Sequence, residues 1–582
     1  MKTQTNILAS VMLTAGLVLA GSPKMAQDLE KTNPGNTIDV IVQFKQVPTA
    51  AHHKKITDRG GQLKTELGVV KAGHYSIPAG KLADLADDPD VAFITPDRPV
   101  KGLLDYANST VGANMALGSG FDGTGVGIAV IDSGVLQKDD LAYATKTNKS
   151  RVVYAEDFTG KSNTGDPFGH GTHVAGILAG DAAASTGGKN FFRAFRGMAP
   201  NATIISLRVL DENGAGTDSA VIAAIQRAIA LKKQYNIRVI NLSLGRPVME
   251  SYKTDPLCQA VEQAWNAGIV VVVAAGNSGR DNSVGTSGYA TIRAPGNDPF
   301  VITVGAMKTL NSPDRADDQI ASYSSKGPTA IDHIVKPDLV APGNRVISMI
   351  GETTGLYQQS NAANFVPCSY YTTNCTGNST NYYRLSGTSM ATPMVSGAVA
   401  LLLQQTPSLT PDQVKARLMK TAAKSFPQFS TATDPVTGQT YNSQYDIFTV
   451  GAGYLDAWAA LNNTDLATKS AVSPTAIYNA STGRVNLVNT AQSAVWGDSA
   501  VWGDHTVWGT FVWLSSSSAV WGDSAVWGDS AVWGDHIATG FSAVWGDSAV
   551  WGDTTTAATS LGAAALTGVG SEGINIAIYG EN

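Results

Sequence analysis

From residue 125 onward the chain alternates unbroken apolar runs with helical stripes. The runs at 126–131, 204–210, 239–242, 269–275 and 301–304 are rich in Val, Ile and Leu. Strands this apolar, without in-out alternation, belong in a sheet covered on both faces. Between them, Val221, Ile222, Ile225, Ala228 and Ile229 repeat at helical spacing, as do Ala260, Val261, Ala264 and Trp265. Strands alternating with helices predict an α/β fold, a parallel sheet with helices on both faces. In such sheets functional groups gather at the carboxyl ends of strands. Asp132 and Asn277 both fall just past a strand. A last helix starts near Pro411, well placed for a first turn, and the domain closes near residue 464.

The pattern differs on either side of this core. Ile38, Val40, Val42 and Phe44 alternate as a half-buried strand should. Val69, Lys71, Gly73 and Tyr75 suggest a second strand region, and Leu82 and Leu85 a short helix. Val91, Phe93 and Thr95 alternate again. Strand, helix, strand, helix, strand over 27–107 predicts a small α+β domain. Residues 1–26 read as a secretory signal: Lys2, an apolar run over 7–20, then small residues around Ala20 and Ala26. The run is too short to favour a membrane span.

Beyond 464 the composition shifts. A hexad, Ser-Ala-Val-Trp-Gly-Asp, recurs around Trp496, Trp502, Trp521, Trp527, Trp533, Trp545 and Trp551, over about 493–553. No Lys or Arg follows Ala491. The tail 465–582 reads equally as a small stacked β-array or as low-complexity chain. Exposed tryptophans as a sticky binding face are a third reading.

A net charge of −6 over 582 residues excludes a general nucleic-acid binder. The three cysteines suit an exported protein sparing in disulfides. Cys368 and Cys375, seven apart, can close a small bridge, whereas Cys258 on an apolar helix face reads as a buried thiol.

The chemistry centres on Ser389, in the stretch Leu-Ser-Gly-Thr-Ser-Met-Ala-Thr-Pro that opens an apolar helix. A serine at the first helical turn sits beside backbone N–H groups without intrahelical partners. A hydroxyl is a weak nucleophile until a base takes its proton. His170, between glycines in Gly-His-Gly-Thr-His-Val-Ala-Gly, is an unshielded imidazole suited to that role. A zinc pair with His173 lacks a third ligand, and His173 reads as packing. Asp132, at the end of an apolar strand, must be paired or hydrogen-bonded. Such a carboxylate fixes an imidazole's tautomer. The Asn277 amide can bind an oxyanion.

In the order Asp132, His170, Ser389 these stretches resemble the three signatures of the subtilisin-like serine peptidases, over about 108–464. The resemblance implies a nucleophile, base, orienter and oxyanion donor at Ser389, His170, Asp132 and Asn277. It implies that Ser243, Leu244 and Gly245 offer their backbone to an extended substrate. It also implies a specificity pocket lined by 274–276 and 294–296. The 27–107 segment then looks like the family's inhibitory propeptide. The likeness allows structural calcium, with Asp140 near a position often used, but names no cofactor for the chemistry and leaves metal ligands unknown. The long loop over 351–383 and the Trp repeats match nothing in the family pattern.

The resulting expectation is a secreted serine endopeptidase made as a zymogen, acting on protein and peptide substrates with broad preference for apolar side chains. It is expected as a monomer, with its own propeptide as inhibitor, no nucleic-acid partner and no membrane span; the tail allows cell-surface association. The alternative is a non-catalytic surface or adhesion protein acting through the Trp repeats.

Overall fold

A computed structural model describes residues 22–97, 106–479, 484–488, 507–508 and 576–581, apart from 23, 27–28, 30–31, 143–149, 187–189, 284, 352, 361 and 374. Residues 1–21 of the expected signal segment and almost all of the Trp repeats lie outside the described residues. The chain divides into two compact units, Met1–Lys101 and Gly102–Asn582.

In the first unit β1 (Thr37–Phe44), β2 (Gln62–Leu67), β3 (Ala72–Pro78) and β4 (Val91–Pro96) form an antiparallel sheet in the order β2-β3-β1-β4. Helices α1 (Ala50–Thr57) and α2 (Leu82–Ala86) join the strands. Val40, Val42, Phe44, Tyr75, Ile77 and Ile94 make the core. Three details depart from the pattern reading. β2 has five exposed positions in a row, so no apolar alternation marked it. The strand expected from Val69 begins at Ala72, because 68–70 form a 3₁₀ turn and Lys71 takes a left-handed φ of 52°. On β4 the buried positions are Val91 and Ile94, since a register break opposite Gln43 and Phe44 shifts the phase.

The second unit is built on an eight-stranded sheet. Strands β5 (Gly127–Asp132), β6 (Val152–Asp157), β7 (Thr203–Arg208), β8 (Ile237–Leu242), β9 (Val270–Ala274) and β10 (Ile302–Lys308) pair in parallel, in the order β10-β9-β8-β5-β7-β6. The short β11 (Gln319–Ile320) pairs antiparallel with β10, and β12 (Leu339–Pro342) pairs with it in parallel. All positions of β5, β9 and β10 are buried, as runs without alternation require. Helices α3 (His170–Ala179) and α6 (Thr388–Gln405) pack together against this sheet, as do α4 (Asp218–Tyr235) and α5 (Pro256–Asn266).

The topology places the site. From β5 the chain moves outward to β6 and β7, and from β8 it moves the other way to β9 and β10. The loops leaving the adjacent β5 and β8 therefore diverge and open a crevice at the strands' carboxyl ends. Asp132 ends β5, Ser243 follows β8, and Asn277 follows β9.

The loop over 351–383 adds β14 (Phe365–Pro367) and most of β15 (Asn378–Leu385) to the preceding β13 (Val346–Met349), in a three-stranded sheet of order β13-β15-β14. Cys368 and Cys375 are bridged there. Phe195, Tyr371 and Tyr382 pack edge to face beside the bridge. β15 leads straight into Ser386 and the loop before Ser389. Of the repeats, only Val507 and Trp508 are described, in a short strand paired with Val485 and Asn486. No helix among the described residues is long and apolar enough to cross a membrane.

Candidate active site

His170 is the first residue of α3, behind Gly169 with φ 98°. Its Nδ1 lies 2.7 Å from Asp132 Oδ1, and the Ser133 N–H donates to the same oxygen at 2.7 Å. Asp132 is fully buried. Its Oδ2 has no hydrogen-bond partner among the described residues. Burial pushes the His170 pKa down, but the charge and hydrogen bond of Asp132 outweigh it and hold the imidazole above its ordinary 6.5.

Asp166 fixes this corner. Its Oδ1 accepts from the Gly169 N–H and the Ser133 hydroxyl, at 2.7 and 2.8 Å, and its Oδ2 from the Thr172 N–H at 2.7 Å. Ser133 Oγ in turn accepts from the Gly171 N–H at 2.9 Å. One buried carboxylate thus caps the start of α3 and ties it to the loop after β5. Sequence reasoning missed it, although an Asp three residues before Gly169 and six before Thr172 is a legible capping signal.

Ser389 is the second residue of α6, after Gly387 with φ 143°. Its hydroxyl donates to the Ser243 carbonyl at 3.1 Å rather than to His170, and the Ser243 hydroxyl donates back to the Ser389 carbonyl at 2.8 Å. Asn277 Oδ1 accepts from the Thr388 N–H and hydroxyl at 2.9 and 3.0 Å, which turns Nδ2 outward as a donor. A Cβ at 387 would stand 3.1 Å from that Nδ2, so glycine keeps the amide clear.

Asn277, His170, Ser389, Ser243, Leu244 and Gly245 all line one cleft of about 400 Å³, whose apolar wall includes Phe168, Leu210, Val221, Leu257 and Leu356. Of the expected pocket stretches, Ala274 and Gly276 line it. Ala294 does not: it is buried, and its backbone pairs with Arg246 behind the rim. Arg293 takes its place on the lining, donating to Ser278 Oγ at 2.8 Å. Arg246 also lines the cleft, held by Asp218 and Asp255 at 2.8 Å each.

His173 is buried one turn along α3, 3.3 Å from the Tyr383 carbonyl, and burial pushes it down to about 3. It is a neutral packing residue. Cys258 is buried too, its thiol pushed up in pKa by burial. Asp140 is buried, and its carboxylate oxygens accept from the Ala184 N–H and the Tyr382 hydroxyl, at 2.7 Å each. Burial raises it to about 6. Among the described residues no group of three or more His, Cys, Asp or Glu could hold a metal.

Residues 123–453 match the Subtilase family, Peptidase_S8. The chain belongs to the subtilase family. The subtilase is 36% identical over 374 residues to the serine protease AprX of Bacillus subtilis, covering 62% of this chain and 76% of that one. It is 32% identical over 390 residues to subtilisin E of the same organism, covering 66% and 84%. An extracellular serine proteinase of Thermus is 33% identical over 353 residues, covering 59% and 68%. The subtilase has the subtilisin-like α/β fold and is a serine endopeptidase. That sets aside the non-catalytic adhesion alternative.

Proposed function

We propose that this subtilase hydrolyses peptide bonds with Ser389 as nucleophile, His170 as base and then acid, Asp132 as orienter and Asn277 as oxyanion donor. The observation that carries the reading is the 2.7 Å contact between a buried carboxylate and an imidazole facing the cleft that also holds Ser389 and Asn277. A turn about the Ser389 Cα–Cβ bond redirects its hydroxyl from the Ser243 carbonyl to His170 Nε2. As Oγ attacks the carbonyl carbon, Nε2 takes its proton, and the positive imidazolium is steadied by Asp132. The new oxyanion is met by Asn277 Nδ2 and the Ser389 N–H, which no helical carbonyl uses. Collapse expels the amine with the proton from His170. Water then attacks the acyl ester by the same sequence.

The backbone of 243–245 receives substrate as an added strand, and the apolar wall favours apolar side chains over a broad range. The protein is exported as a zymogen, with the first unit as propeptide. Lys24 reaches the Asp88 carbonyl at 2.9 Å and Met25 bridges Ile94, which supports signal cleavage at the earlier small residues around Ala20. The test is Ser389→Ala: the wild type sheds residues up to about 107 and cleaves casein, while the variant keeps its propeptide and loses roughly 10⁶-fold in rate. Equal casein cleavage by both would overturn the assignment.

A further inference from the structure

The chain's last described residues return to the nucleophile. The segment 576–581 buries Ile576, Ile578 and Glu581. The Ala577 carbonyl accepts from the Ser386 N–H at 3.0 Å, three residues before Ser389. Asn344 grips the Glu581 backbone from both sides, its Oδ1 accepting from the N–H at 2.9 Å and its Nδ2 donating to the carbonyl at 2.8 Å. Asn364 Nδ2 donates to the Ile578 carbonyl at 2.6 Å. The Glu581 carboxylate is 1% exposed and ends in a basic socket. Its Oε1 accepts from Arg280 at 2.7 Å and from the Ser322 N–H at 2.9 Å, and its Oε2 lies 3.3 Å from Lys308 Nζ. Arg280 and Lys308 are themselves buried, and this carboxylate is a counter-charge to both, shared on Arg280 with Asp434 at 2.6 Å.

Ala577 also lines the cleft with His170, Asn277 and Ser389. The Ser386–Ser389 loop is therefore held on one side by the Gly343 carbonyl, which accepts from the Gly387 N–H at 2.8 Å, and on the other by the tail.

We propose that 576–581 is a clasp for the nucleophile's loop: Glu581 anchors it as a positioning residue, and Ala577 is a wall that extended substrates meet. This rests on the peptidase reading of Ser389. A helix-start hydroxyl misplaced by about 1 Å costs on the order of 10²-fold in rate, so a loosened loop acts on kcat, whereas a bulkier wall acts on binding.

The experiment uses the full chain, with peptides extended on both sides of the scissile bond and with Ser389→Ala as control. Glu581→Gln lowers kcat about tenfold or more with KM nearly unchanged. Ala577→Trp raises KM with kcat nearly unchanged, and lowers Tm little because Ala577 is only half-buried on the cleft lining. Wild-type kcat and KM in both variants, a fall in Tm alone in Glu581→Gln, or a rise in kcat would overturn the clasp. If Glu581→Gln does not fold, an unchanged KM in Ala577→Trp overturns it. Cleavage by Ser389→Ala itself would instead unseat the peptidase assignment.

Discussion

Asp132 and Asp338 are both buried carboxylates beside a cation or a group that becomes one. Asp338 is enclosed on every side. Its Oδ2 accepts from Lys336 Nζ and the Thr303 N–H, at 2.7 Å each, and its Oδ1 from the Ser473 hydroxyl at 2.5 Å, with Lys415 Nζ at 3.1 Å. Burial raises its pKa, but Lys336 and Lys415 outweigh that and hold it below the usual carboxylate range. Lys415 also donates to the carbonyls of Pro299 and Val301. Asp132 leaves one oxygen unpartnered, and its imidazole borders an open cleft. A carboxylate whose partners are all fixed stabilises a fold. One whose partner can gain and lose a proton at a cleft can run a reaction.

Removing each charge should therefore damage different things. Asp132→Asn is expected to lower kcat by about 10⁴-fold, because the imidazole loses its tautomer and the charge that steadies it. Its Tm should move little, since the site is at the rim of the sheet. Steady-state kinetics and a melting curve on the same preparation check both. Asp338→Asn should do the reverse. Two buried ammonium groups lose their counter-charge, at a cost of about 3–5 kcal/mol in unfolding free energy. The molecules that remain folded should keep the wild-type kcat. A catalytic loss in Asp338→Asn comparable to that in Asp132→Asn would erase the distinction.

Asn277→Ala probes the cleft from the opposite direction. No ion pair is broken, and the Thr388 N–H loses one acceptor. The expected loss is about 10²–10³ in kcat, with KM close to wild type, because the amide acts only when the oxyanion forms. A loss seen mainly in KM would make Asn277 a ground-state contact.

The sheet was legible for one physical reason. A strand buried on both faces has no choice but apolar residues, so 126–131 and 269–275 announced themselves, and a polar residue soon after such a run stood out. Asp132 and Asn277 stood out in that way, whereas Ser389 and His170 stood out by the small residues and glycines around them. What went unread is set by turns or by partners far away in sequence. Asp166 acts through the nearby Gly169 and Thr172, a capping turn that periodicity does not mark, and through the more distant Ser133. Arg293 reaches the cleft only because Ala294 pairs backward with Arg246. Glu581 lies 301 residues from Arg280, and no local pattern encodes a meeting at that range. β2 failed for a simpler cause: an edge strand with both faces wet has no alternation to read.

The smallest expected effect is the most specific test of the Asp132–His170 pair. Catalysis needs the neutral imidazole, so kcat/KM should fall as pH drops through the His170 pKa. That pKa lies above 6.5, since Asp132 outweighs the burial that would lower it. The acid limb of the wild-type profile should accordingly have its midpoint above pH 6.5. In Asp132→Asn the larger opposing charge is gone while burial and the smaller effect of Asp166 remain, so the residual activity should hold to lower pH, with a midpoint below that of the wild type. The Asp338→Asn limb should overlay the wild type, because that carboxylate is tied to Lys336, Lys415, Thr303 and Ser473 and makes no contact with the imidazole. A pH–rate profile for each of the three proteins, with folded fraction measured at every pH, decides it. Identical limbs for wild type and Asp132→Asn would mean that the imidazole's proton affinity is set by something other than the carboxylate 2.7 Å away.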